Sequence, residues 1–420
     1  MTQLLIIGGS DAGISAALRI KELDRQADIT VVLADNYPGY SICGLPFLLS
    51  GEVTDWRSLA HHKIQEFEEL GIHLLPNQRT ESILRDNKTV RIVSREGQTQ
   101  QVRYDKLLIA TGAESTRPPI GGLGEPGVFF LRWMEDGFSM QEFMNREHPK
   151  RAVIIGGGYI GLEMADALTH RGLKVTVLEF LPEILSTMDP EMGRLIRTEL
   201  ESKGVRVVLG KAVQSIERKN DNLQVHTASG ETEITDMVLV ATGVKASVKL
   251  AQSAGITLGI GGAIQVDRTM ATSISDIWAA GDCVETWHNL INANVYMPLG
   301  TTAHKQGRVA GENMLGGKRI FQGSLGTQAV KVFDLVAAGT GLRNVQAIKA
   351  GFAPLTVTMT TLDHNPYYSG AKEMYVSITG DRSSGRLLGA QIVGHYFSEI
   401  SKRIDIIAGA IFNNLLVNNL

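Results

Sequence analysis

Two stretches of the sequence share one pattern and decide the fold. Residues 4–13 read LLIIGGSDAG and residues 152–161 read AVIIGGGYIG, so each apolar strand runs directly into a glycine turn. A helix is predicted after each turn, over 14–23 and 162–171, and a β-branched strand after each helix, over 29–33 and 174–178. This order is typical of the opening unit of a dinucleotide-binding fold. The sequence therefore predicts that unit twice.

The duplication extends to the end of each half. Residues 104–113 read YDKLLIATGA and residues 235–244 read TDMVLVATGV, two buried strands that end in the same three residues. Short strands precede each of them, at 89–93 and near 101 in the first half and at 223–227 in the second. Each half is thus predicted to close with a three-stranded meander and a buried strand.

The fold class is therefore α/β, with two Rossmann-like three-layer dinucleotide-binding domains and an α+β C-terminal domain. The predicted boundaries are 1–113 with 245–326 for the first domain, 114–244 for the second and 327–420 for the third. In the third, strands are expected in AVKVF and PLTVTMTTL, a hairpin over 374–393 and a helix from 399 to about 413.

Composition excludes several classes of function. The 420 residues are 43% hydrophobic and carry a formal net charge of −3, without a basic run that would bind nucleic acid or acidic membranes. No apolar stretch is long enough for a membrane span. The two cysteines, Cys43 and Cys283, fit neither a metal-ligand spacing nor a disulfide framework. We expect a soluble, cytoplasmic protein without a metal site.

The second glycine motif, Gly156, Gly158 and Gly161, is regular. Glycine lets the backbone approach a pyrophosphate at the helix N-terminus, where free N–H groups favour an anion. Glu179 follows at the end of the next strand, where a carboxylate binds ribose hydroxyls and repels a 2′-phosphate. Since no arginine follows it, NADH is favoured over NADPH. The alternative for Glu179 is an exposed carboxylate at a strand end.

The first motif departs from the pattern in two places. It has Gly8 and Gly13, but Ser10 stands where the middle glycine belongs and Leu33 where the ribose carboxylate is expected. Asp35 lies two residues beyond and is the candidate substitute. Its alternative is a plain turn aspartate.

A further signal is WAAGDCVE at 278–285. With GGSDAG, LLIATGA, GGGYIGLE, VLVATGV and AAGDC in that order, the chain resembles the FAD-dependent pyridine nucleotide-disulfide oxidoreductases over nearly its whole length. The resemblance implies FAD at the first glycine motif, NADH at the second and Asp282 against the flavin ribitol, with Cys283 a packing residue. By the same resemblance the other cofactor-binding residues are Ala110, Thr111, Gly112, Gly281 and Ala303 for FAD, and Ile160 and Gly243 for the nicotinamide cofactor.

Cys43, in GYSICGLPFLLSG at 39–51, indicates the branch of the family. A helix beginning near Leu45 and Pro46 would lower the pKa of its sulfur. Family members that reduce dithiols carry a second cysteine here, where this chain has Leu48. The chain therefore resembles the single-cysteine branch of coenzyme A-disulfide reductases, NADH oxidases, NADH peroxidases and persulfide reductases. The alternative is a buried, inert cysteine.

Two features separate the members of that branch. Peroxidases and oxidases commonly place a histidine where this chain has Asp11, whereas coenzyme A-disulfide reductases have a Tyr-Tyr pair that Tyr367 and Tyr368 match. The resemblance implies that one of these tyrosines donates a proton to the thiolate that leaves the partner subunit's cysteine. The alternative is a pair of strand-edge aromatics at a dimer interface.

Three other site residues rest on the resemblance. Tyr159 resembles the aromatic gate over the flavin, and Glu163 resembles the carboxylate that holds the nicotinamide carboxamide; its alternative is a glutamate on a helix face. His304 and the neighbouring Lys305 are expected near the flavin's pyrimidine end, without an assigned role. The family's dimerisation domain implies a homodimer. Family members also continue past the last helix with a tail containing a tyrosine and prolines, and whether such a tail belongs to this protein is left open.

The predicted function is transfer of hydride from NADH through FAD to Cys43, which reduces a small disulfide or persulfide acceptor such as coenzyme A disulfide. One alternative is an NADH oxidase or peroxidase in which Cys43 forms a sulfenic acid. Another is an electron-transfer reductase with a protein redox partner, and a third is a flavoprotein whose association state NADH switches.

Overall fold

The computed structural model describes residues 2–420. Its α-helices are α1 (Asp11–Leu23), α2 (Leu45–Ser50), α3 (Ile64–Glu69), α4 (Met134–Glu147), α5 (Tyr159–His170), α6 (Pro190–Ser202), α7 (Lys249–Ser253), α8 (Gly300–Met314), α9 (Asn344–Lys349) and α10 (Ile400–Phe412). None of these helices combines the length and the hydropathy that crossing a bilayer requires.

The strands of the first half of the chain are β1 (Gln3–Ile7), β2 (Asp28–Val32), β3 (Ile72–Leu75), β4 (Gln78–Leu84), β5 (Thr89–Ser94), β6 (Thr99–Arg103), β7 (Lys106–Ile109), β8 (Ala113–Ser115), β9 (Val128–Phe129), β10 (Arg151–Ile155), β11 (Lys174–Leu178) and β12 (Arg206–Val208). Those of the second half are β13 (Val213–Lys219), β14 (Asn222–Thr227), β15 (Thr232–Thr235), β16 (Met237–Val240), β17 (Val244–Ala246), β18 (Ile277–Ala279), β19 (Thr286–His288), β20 (Ala293–Val295), β21 (Gln328–Val332), β22 (Leu335–Gly341), β23 (Pro354–Leu362), β24 (Glu373–Asp381) and β25 (Leu387–His395).

The chain forms two compact units, each built from three segments. The first contains residues 2–42, Asp55–Glu114 and Val244–Ser324, and the second contains Cys43–Thr54, Ser115–Gly243 and Leu325–Leu420. Most breaks lie beside the boundaries that the sequence suggests. The exception is the short segment Cys43–Thr54, which leaves the first unit.

A five-stranded parallel sheet, in the order β18-β7-β1-β2-β3, forms the centre of the first unit. Its strands are largely apolar, and Ile6, Ile29 and Leu108 are fully buried. Helices α1 and α8 pack on it, and Val90 and Ile92 of strand β5 belong to the same core. The antiparallel sheet β4-β5-β6 is the predicted meander.

Helices α1 and α8 pack closely in this unit. A Cβ on Gly307 would lie 2.1 Å from the carbonyl oxygen of Ala12, so the two backbones meet where α8 has no side chain. Arg19 and Glu312 add an ion pair of 2.7 Å between the helices. Residues far apart in sequence thus complete one domain.

The second unit repeats this plan and adds a third sheet. Its parallel sheet runs β12-β11-β10-β16-β9, so that β10 lies between β11 and the strand before the second ATG, as β1 does in the first unit. The sheet β13-β14-β15 is again a meander, and β21-β22-β25-β24-β23 is wholly antiparallel with α10 packed against it. The predicted fold class is confirmed.

Element bounds agree closely with the sequence predictions, with one systematic difference. Strand β11 has the predicted bounds, and α10 begins and ends within a residue of them. Helices α1 and α5 begin earlier than predicted, at Asp11 and Tyr159. The reason is that the last glycine of each motif lies inside the helix, where it packs against the strand, rather than in the turn before it.

Candidate active site

The first glycine loop has a backbone that only glycine accommodates. Gly8 has φ 111°, and a Cβ there would lie 2.1 Å from the carbonyl oxygen of Ala110. A Cβ on Gly13 would lie 1.9 Å from the carbonyl oxygen of Gly8. The loop therefore lies tightly on the sheet and leaves the N-terminal amides of α1 available to an anion.

The other predicted FAD residues of the first unit lie around this loop. A Cβ on Gly281 would lie 2.9 Å from that of Ala12 and 3.6 Å from that of Ala303 on α8. Gly281 itself donates its N–H to Gln306 Oε1 over 2.9 Å, which fixes the turn that carries Asp282. Loop, Gly-Asp turn and α8 thus form one cradle, and added side chains would fill it. The residues fit a dinucleotide such as FAD.

The first ATG turn is fixed by the return segment of the chain. Thr111 Oγ1 donates to the carbonyl of Ser247 over 2.7 Å, and the Ser247 N–H donates to the carbonyl of Gly112 over 3.0 Å. The turn is held between two separate segments of the same unit. Ala110, Thr111 and Gly112 therefore have a fixed position beside Gly8.

Leu33 packs in the core, whereas the side chain of Asp35 forms a hydrogen bond in a turn. Leu33 is buried, and its Cδ2 lies 2.0 Å from where a Cβ on Gly9 would stand. Asp35 Oδ1 accepts the Tyr37 N–H over 3.0 Å, the geometry of an aspartate turn. The turn alternative therefore describes part of what Asp35 does, and ribose binding stays a prediction.

A cluster that the sequence did not reveal lies at the start of α1. His304 Nε2 is 3.3 Å from Asp11 Oδ1, and His304 Nδ1 is 2.7 Å from Ser15 Oγ. The ring of His61 lies edge-on to that of His304, with 6.2 Å between centroids. The first glycine loop has no histidine in its sequence but has the His304 imidazole beside it. The sequence signal for this was the polar pair His304 and Lys305 in TTAHKQGR.

The second glycine loop reproduces the backbone of the first. Gly156 has φ 112°, and its Cβ would lie 2.4 Å from the carbonyl oxygen of Ala241. A Cβ on Gly161 would lie 2.0 Å from the carbonyl oxygen of Gly156. Gly158 is the exposed residue before α5, and its missing side chain leaves the helix N-terminus open. Ile160 follows in the first turn of α5, and Gly243 lies just beyond the second ATG strand with φ 99°.

Glu179 lies within this loop. Its Oε2 accepts the Gly157 N–H over 2.6 Å, and its Oε1 accepts the Leu181 N–H over 2.7 Å. The residue is only 9% exposed, so the alternative of an exposed strand-end carboxylate is wrong. The carboxylate is thus fixed at the end of β11, and ribose binding by Glu179 stays a prediction.

Tyr159 and Glu163 lie one turn apart on α5. Burial raises the pKa of Tyr159 to about 12, although its hydroxyl oxygen accepts a hydrogen bond of 3.0 Å from Thr187 Oγ1. Burial also raises the pKa of Glu163 to about 7, with Asp166 adding repulsion and Lys331 opposing it. Glu163 therefore changes charge near neutral pH, which a glutamate on a solvated helix face does not.

Cys43 is exposed, whereas Cys283 is fully buried. Cys43 is therefore not the buried cysteine of the alternative, and its reactivity stays a prediction. Burial raises the pKa of Cys283 to about 11, and its Sγ lies 3.3 Å from the carbonyl oxygen of Ala280. Cys43 lies in the 3-10 turn Ile42–Gly44 that leads into α2. The predicted helix begins at Leu45, as expected, and has six residues. Its effect on the Cys43 sulfur stays a prediction.

Helix α2 packs against α5 and α4 in the second unit. Leu45 and Leu48 are buried, and a Cβ on Gly137 of α4 would lie 2.7 Å from Leu45 Cδ2. The segment that begins with Cys43 is therefore fixed on the helix that carries Tyr159 and Glu163.

Tyr367 and Tyr368 lie in the turn between β23 and β24 and are 77% and 62% exposed. Their ring centroids are 4.8 Å apart, and the Tyr367 hydroxyl oxygen accepts a hydrogen bond of 3.2 Å from Asn365 Nδ2. Neither ring packs in the interior of its own chain. Their predicted role requires a second subunit and stays a prediction.

Two dinucleotide-type loops, each on its own parallel sheet, together with an exposed cysteine beside the second, define an FAD- and NAD(P)H-dependent oxidoreductase. The chain belongs to the pyridine nucleotide-disulphide oxidoreductase family, whose model matches residues 2–307. The family's dimerisation domain matches residues 327–420.

Relatives within the family carry different named activities. An NAD(P)H sulfur oxidoreductase (CoA-dependent) from Pyrococcus abyssi is 35% identical over 98% of this chain and 91% of its own. An NADH oxidase from Methanocaldococcus jannaschii is 32% identical over 99% of this chain and 92% of its own. The solved structure of an NAD-dependent persulfide reductase from A. fulgidus superposes with a TM-score of 0.95 at 38% identity, covering 100% of this chain and 78% of that one.

Proposed function

We propose that this enzyme passes hydride from NADH through FAD to Cys43 and thereby reduces a small disulfide or persulfide, with coenzyme A disulfide as the leading acceptor. The observation that carries the proposal is the packing of α2 on α5, because it holds the segment of the exposed Cys43 on the helix of Tyr159 and Glu163. The bound flavin supplies the hydride acceptor and the electron pair that reduces sulfur. The names of the P. abyssi and A. fulgidus relatives support a sulfur acceptor.

Cys43 carries the sulfur chemistry in this proposal. Its thiolate attacks one sulfur of the acceptor disulfide, which forms a mixed disulfide on Cys43 and releases one thiolate. That thiolate takes up a proton and leaves as the first thiol. Two electrons and a proton then release the second thiol and restore the Cys43 thiolate. The sum is one NADH and one proton consumed for two thiols formed.

Glu179 supports NADH as the donor. Its carboxylate is fixed by the Gly157 and Leu181 amides and would accept hydrogen bonds from ribose hydroxyls. A 2′-phosphate in the same place would face a carboxylate that cannot move away without losing both bonds. Glu163 is assigned to the nicotinamide carboxamide, and Tyr159 to the gate in front of the flavin.

A homodimer is the proposed assembly. On the outer strand β23, Leu355, Val357 and Met359 alternate along one face and are each about half exposed. Ile406 on α10 is 71% exposed. Such an apolar surface on a dimerisation domain favours burial against a second copy, which would bring Tyr367 and Tyr368 to the partner's site.

The proposed domains are those predicted from the sequence. Residues 1–113 and 245–326 form the proposed FAD-binding domain, 114–244 the NAD(P)H-binding domain and 327–420 the dimerisation domain. The sequence has only two cysteines, Cys43 and Cys283, which lie far apart and outside any disulfide framework. This supports a reducing compartment, and the cytoplasm is the proposed location.

Anaerobic titration of the FAD-bound protein with NADH tests the proposal. The wild type, with Cys43 first converted to the mixed disulfide by excess coenzyme A disulfide that is then removed, should take up about two equivalents per flavin. Cys43→Ser treated in the same way should take up about one, because the mixed disulfide is the second redox centre. Reduction of coenzyme A disulfide by Cys43→Ser should fall by about a thousandfold. Cys283→Ala, which alters the buried thiol, is the matched control and should keep two equivalents. Equal uptake by wild type and Cys43→Ser, with turnover retained on a protein acceptor, would instead identify an electron-transfer reductase.

An NADH oxidase or peroxidase is the second candidate. The first glycine loop contains no histidine, but the imidazole of His304 lies beside Asp11 in that loop. The missing histidine in the loop sequence therefore no longer argues against an oxidase or peroxidase. The M. jannaschii relative is named an NADH oxidase. In this case NADH would be consumed with oxygen or peroxide alone, and a sulfenic acid on Cys43 would react with dimedone during turnover. If dimedone did not react with Cys43 and no oxygen was consumed, the proposed sulfur reductase would be favoured over the oxidase or peroxidase.

A further inference from the structure

Asp11, His61 and His304 come from three separate elements of the first unit and meet at one place. Asp11 is the first residue of α1, His304 lies in the first turns of α8, and His61 follows the 3-10 turn Trp56–Leu59. Asp11 belongs to the first glycine loop, but the meeting of two imidazoles with its carboxylate is not required for binding a dinucleotide. Two imidazoles and one carboxylate are a ligand set for divalent first-row transition metals.

The distances approach those of a metal site. One ligand atom from each residue lies within 4.8 Å of the other two. Ligand bonds near 2.1 Å in a tetrahedral site separate ligand atoms by about 3.4 Å. The 3.3 Å between His304 Nε2 and Asp11 Oδ1 already has this spacing. His61 requires a shift of about 1 Å, and it is the exposed member of the three.

A supporting contact orients His304. Ser15 Oγ lies 2.7 Å from His304 Nδ1, and Ser15 is only 9% exposed. A hydrogen bond on one ring nitrogen of a metal-binding histidine commonly fixes the ring so that the other nitrogen faces the metal. Ser15 is one helical turn after Asp11, so α1 supplies both the carboxylate and the hydroxyl that directs the imidazole toward it.

The backbone of His61 is also fixed. Its N–H donates to the carbonyl of Gly39 over 3.0 Å, next to the bridge between Tyr40 and Ala60. Only the side chain must rotate to complete the cluster. His61 therefore requires no rearrangement of the chain.

A cation bound to this cluster would have an electrostatic role. Asp11 places a carboxylate in the first turn of α1, at the same helix end whose amides suit the FAD pyrophosphate. Two anions at one helix end repel each other, and a divalent cation on Asp11 would offset that repulsion.

We infer that Asp11, His61 and His304 bind one divalent first-row transition-metal ion, of which Zn²⁺ is the representative, beside the FAD loop. Water would fill the remaining coordination. The site is independent of the acceptor that Cys43 reduces, so it stands or falls separately from the proposed function.

The test uses the FAD-bound protein after treatment with a chelator, titrated with Zn²⁺ by calorimetry. The wild type should bind about one Zn²⁺ per chain with a micromolar or lower Kd. His304→Ala and His61→Ala should each raise that Kd by about a hundredfold, and Ser15→Ala by about tenfold. His226→Ala, which changes a histidine of the second unit paired with Thr232, is the matched control and should leave the Kd unchanged.

Co²⁺ provides a readout that does not depend on activity. Bound at this site, it should give visible d–d absorption in the wild type and in His226→Ala, but not in His304→Ala. Should His304→Ala fold poorly, Asp11→Asn keeps the size of the side chain and should lose the same absorption. A wild type that binds less than about 0.2 ions per chain, or variants with the wild-type Kd, would overturn the inference.

Discussion

The two glycine loops have the same backbone but different chemistry behind it. Gly8 and Gly156 share φ values near 110°, and in each loop the first glycine lies against the strand that ends in ATG. Behind the second loop Glu179 accepts a hydrogen bond from Gly157, whereas behind the first the buried Leu33 fills the equivalent space under Gly9. The two loops thus share a backbone suited to a pyrophosphate and differ in the side chain at the end of the second strand, to which we assign the difference in ribose recognition.

The first loop adds a difference of its own. Asp11 opens α1 with a carboxylate that His304 contacts, whereas Tyr159 opens α5 with an aromatic ring. Duplication has therefore kept the parts that touch phosphate and changed the parts that meet the rest of each nucleotide.

Substitutions that disturb the glycine conformation common to both loops should have the largest effect on dinucleotide binding. Gly8→Ala and Gly156→Ala each place a methyl group against a carbonyl oxygen, at 2.1 and 2.4 Å, on a backbone with positive φ. We expect a cost of about 3 kcal/mol and a loss of dinucleotide affinity of about a hundredfold. Gly8→Ala should be purified without flavin, while Gly156→Ala should remain yellow and fail to bind NADH in calorimetry.

Gly124→Ala is the matched control, because a Cβ there meets nothing within 4 Å. It should keep both flavin and NADH. If Gly156→Ala also lost its flavin, the two loops would not be separate sites.

Making the second loop resemble the first should have the next largest effect. Glu179→Leu copies residue 33, and we expect the Kd for NADH to rise by about 10- to 100-fold, since a charge-assisted hydrogen bond contributes about 1.5 to 3 kcal/mol. The Kd for NADPH should change little. Glu179→Gln can still accept the Gly157 N–H and so separates the charge from the loop contact. A wild-type Kd for NADH with Gln, beside a raised Kd for both cofactors with Leu, would show that Glu179 only supports the loop.

The smallest effect concerns Glu163, which has no counterpart in the first loop. Because burial raises its pKa to about 7, the carboxyl is mostly protonated at pH 6 and mostly ionised at pH 8. A carboxylate accepts the nicotinamide carboxamide N–H better than the neutral acid, so NAD⁺ should bind several-fold more tightly at pH 8 than at pH 6.

Glu163→Gln should remove this pH dependence, and calorimetric Kd values across the range would show it. Glu191→Gln, on the exposed start of α6, serves as control and should keep the dependence. If the Kd for NAD⁺ still depended on pH in Glu163→Gln, the pH dependence would belong to another titrating group.

Local patterns explain how much the sequence could predict. Strand–turn–helix units are encoded within about ten consecutive residues, so β1, α1, β10 and α5 were identified from LLIIGGSDAG and AVIIGGGYIG. The position of Glu179 followed from the same spacing. The family motifs supplied the order of the three domains.

Contacts between distant residues could not be predicted in this way. Asp11, His61 and His304 are unrelated in sequence, and only the packing of α1 on α8 brings two of them together. The burial that shifts the pKa of Glu163 likewise depends on neighbours that include Lys331, far along the chain. The sequence predicted where α2 begins but not where it ends, which is at Gly51 with its left-handed backbone.

The packing of α8 on α1 also has a consequence for the order of events during translation. Arg19 meets its partner Glu312 only after 293 further positions have been synthesised, and the parallel sheet around β1 lacks β18 until residue 277. The sheet around β10, by contrast, is complete by residue 240. We expect nascent chains stopped there to protect that sheet from protease while residues 2–42 are still cleaved, so the N-terminal segment depends longest on ribosome-associated chaperones.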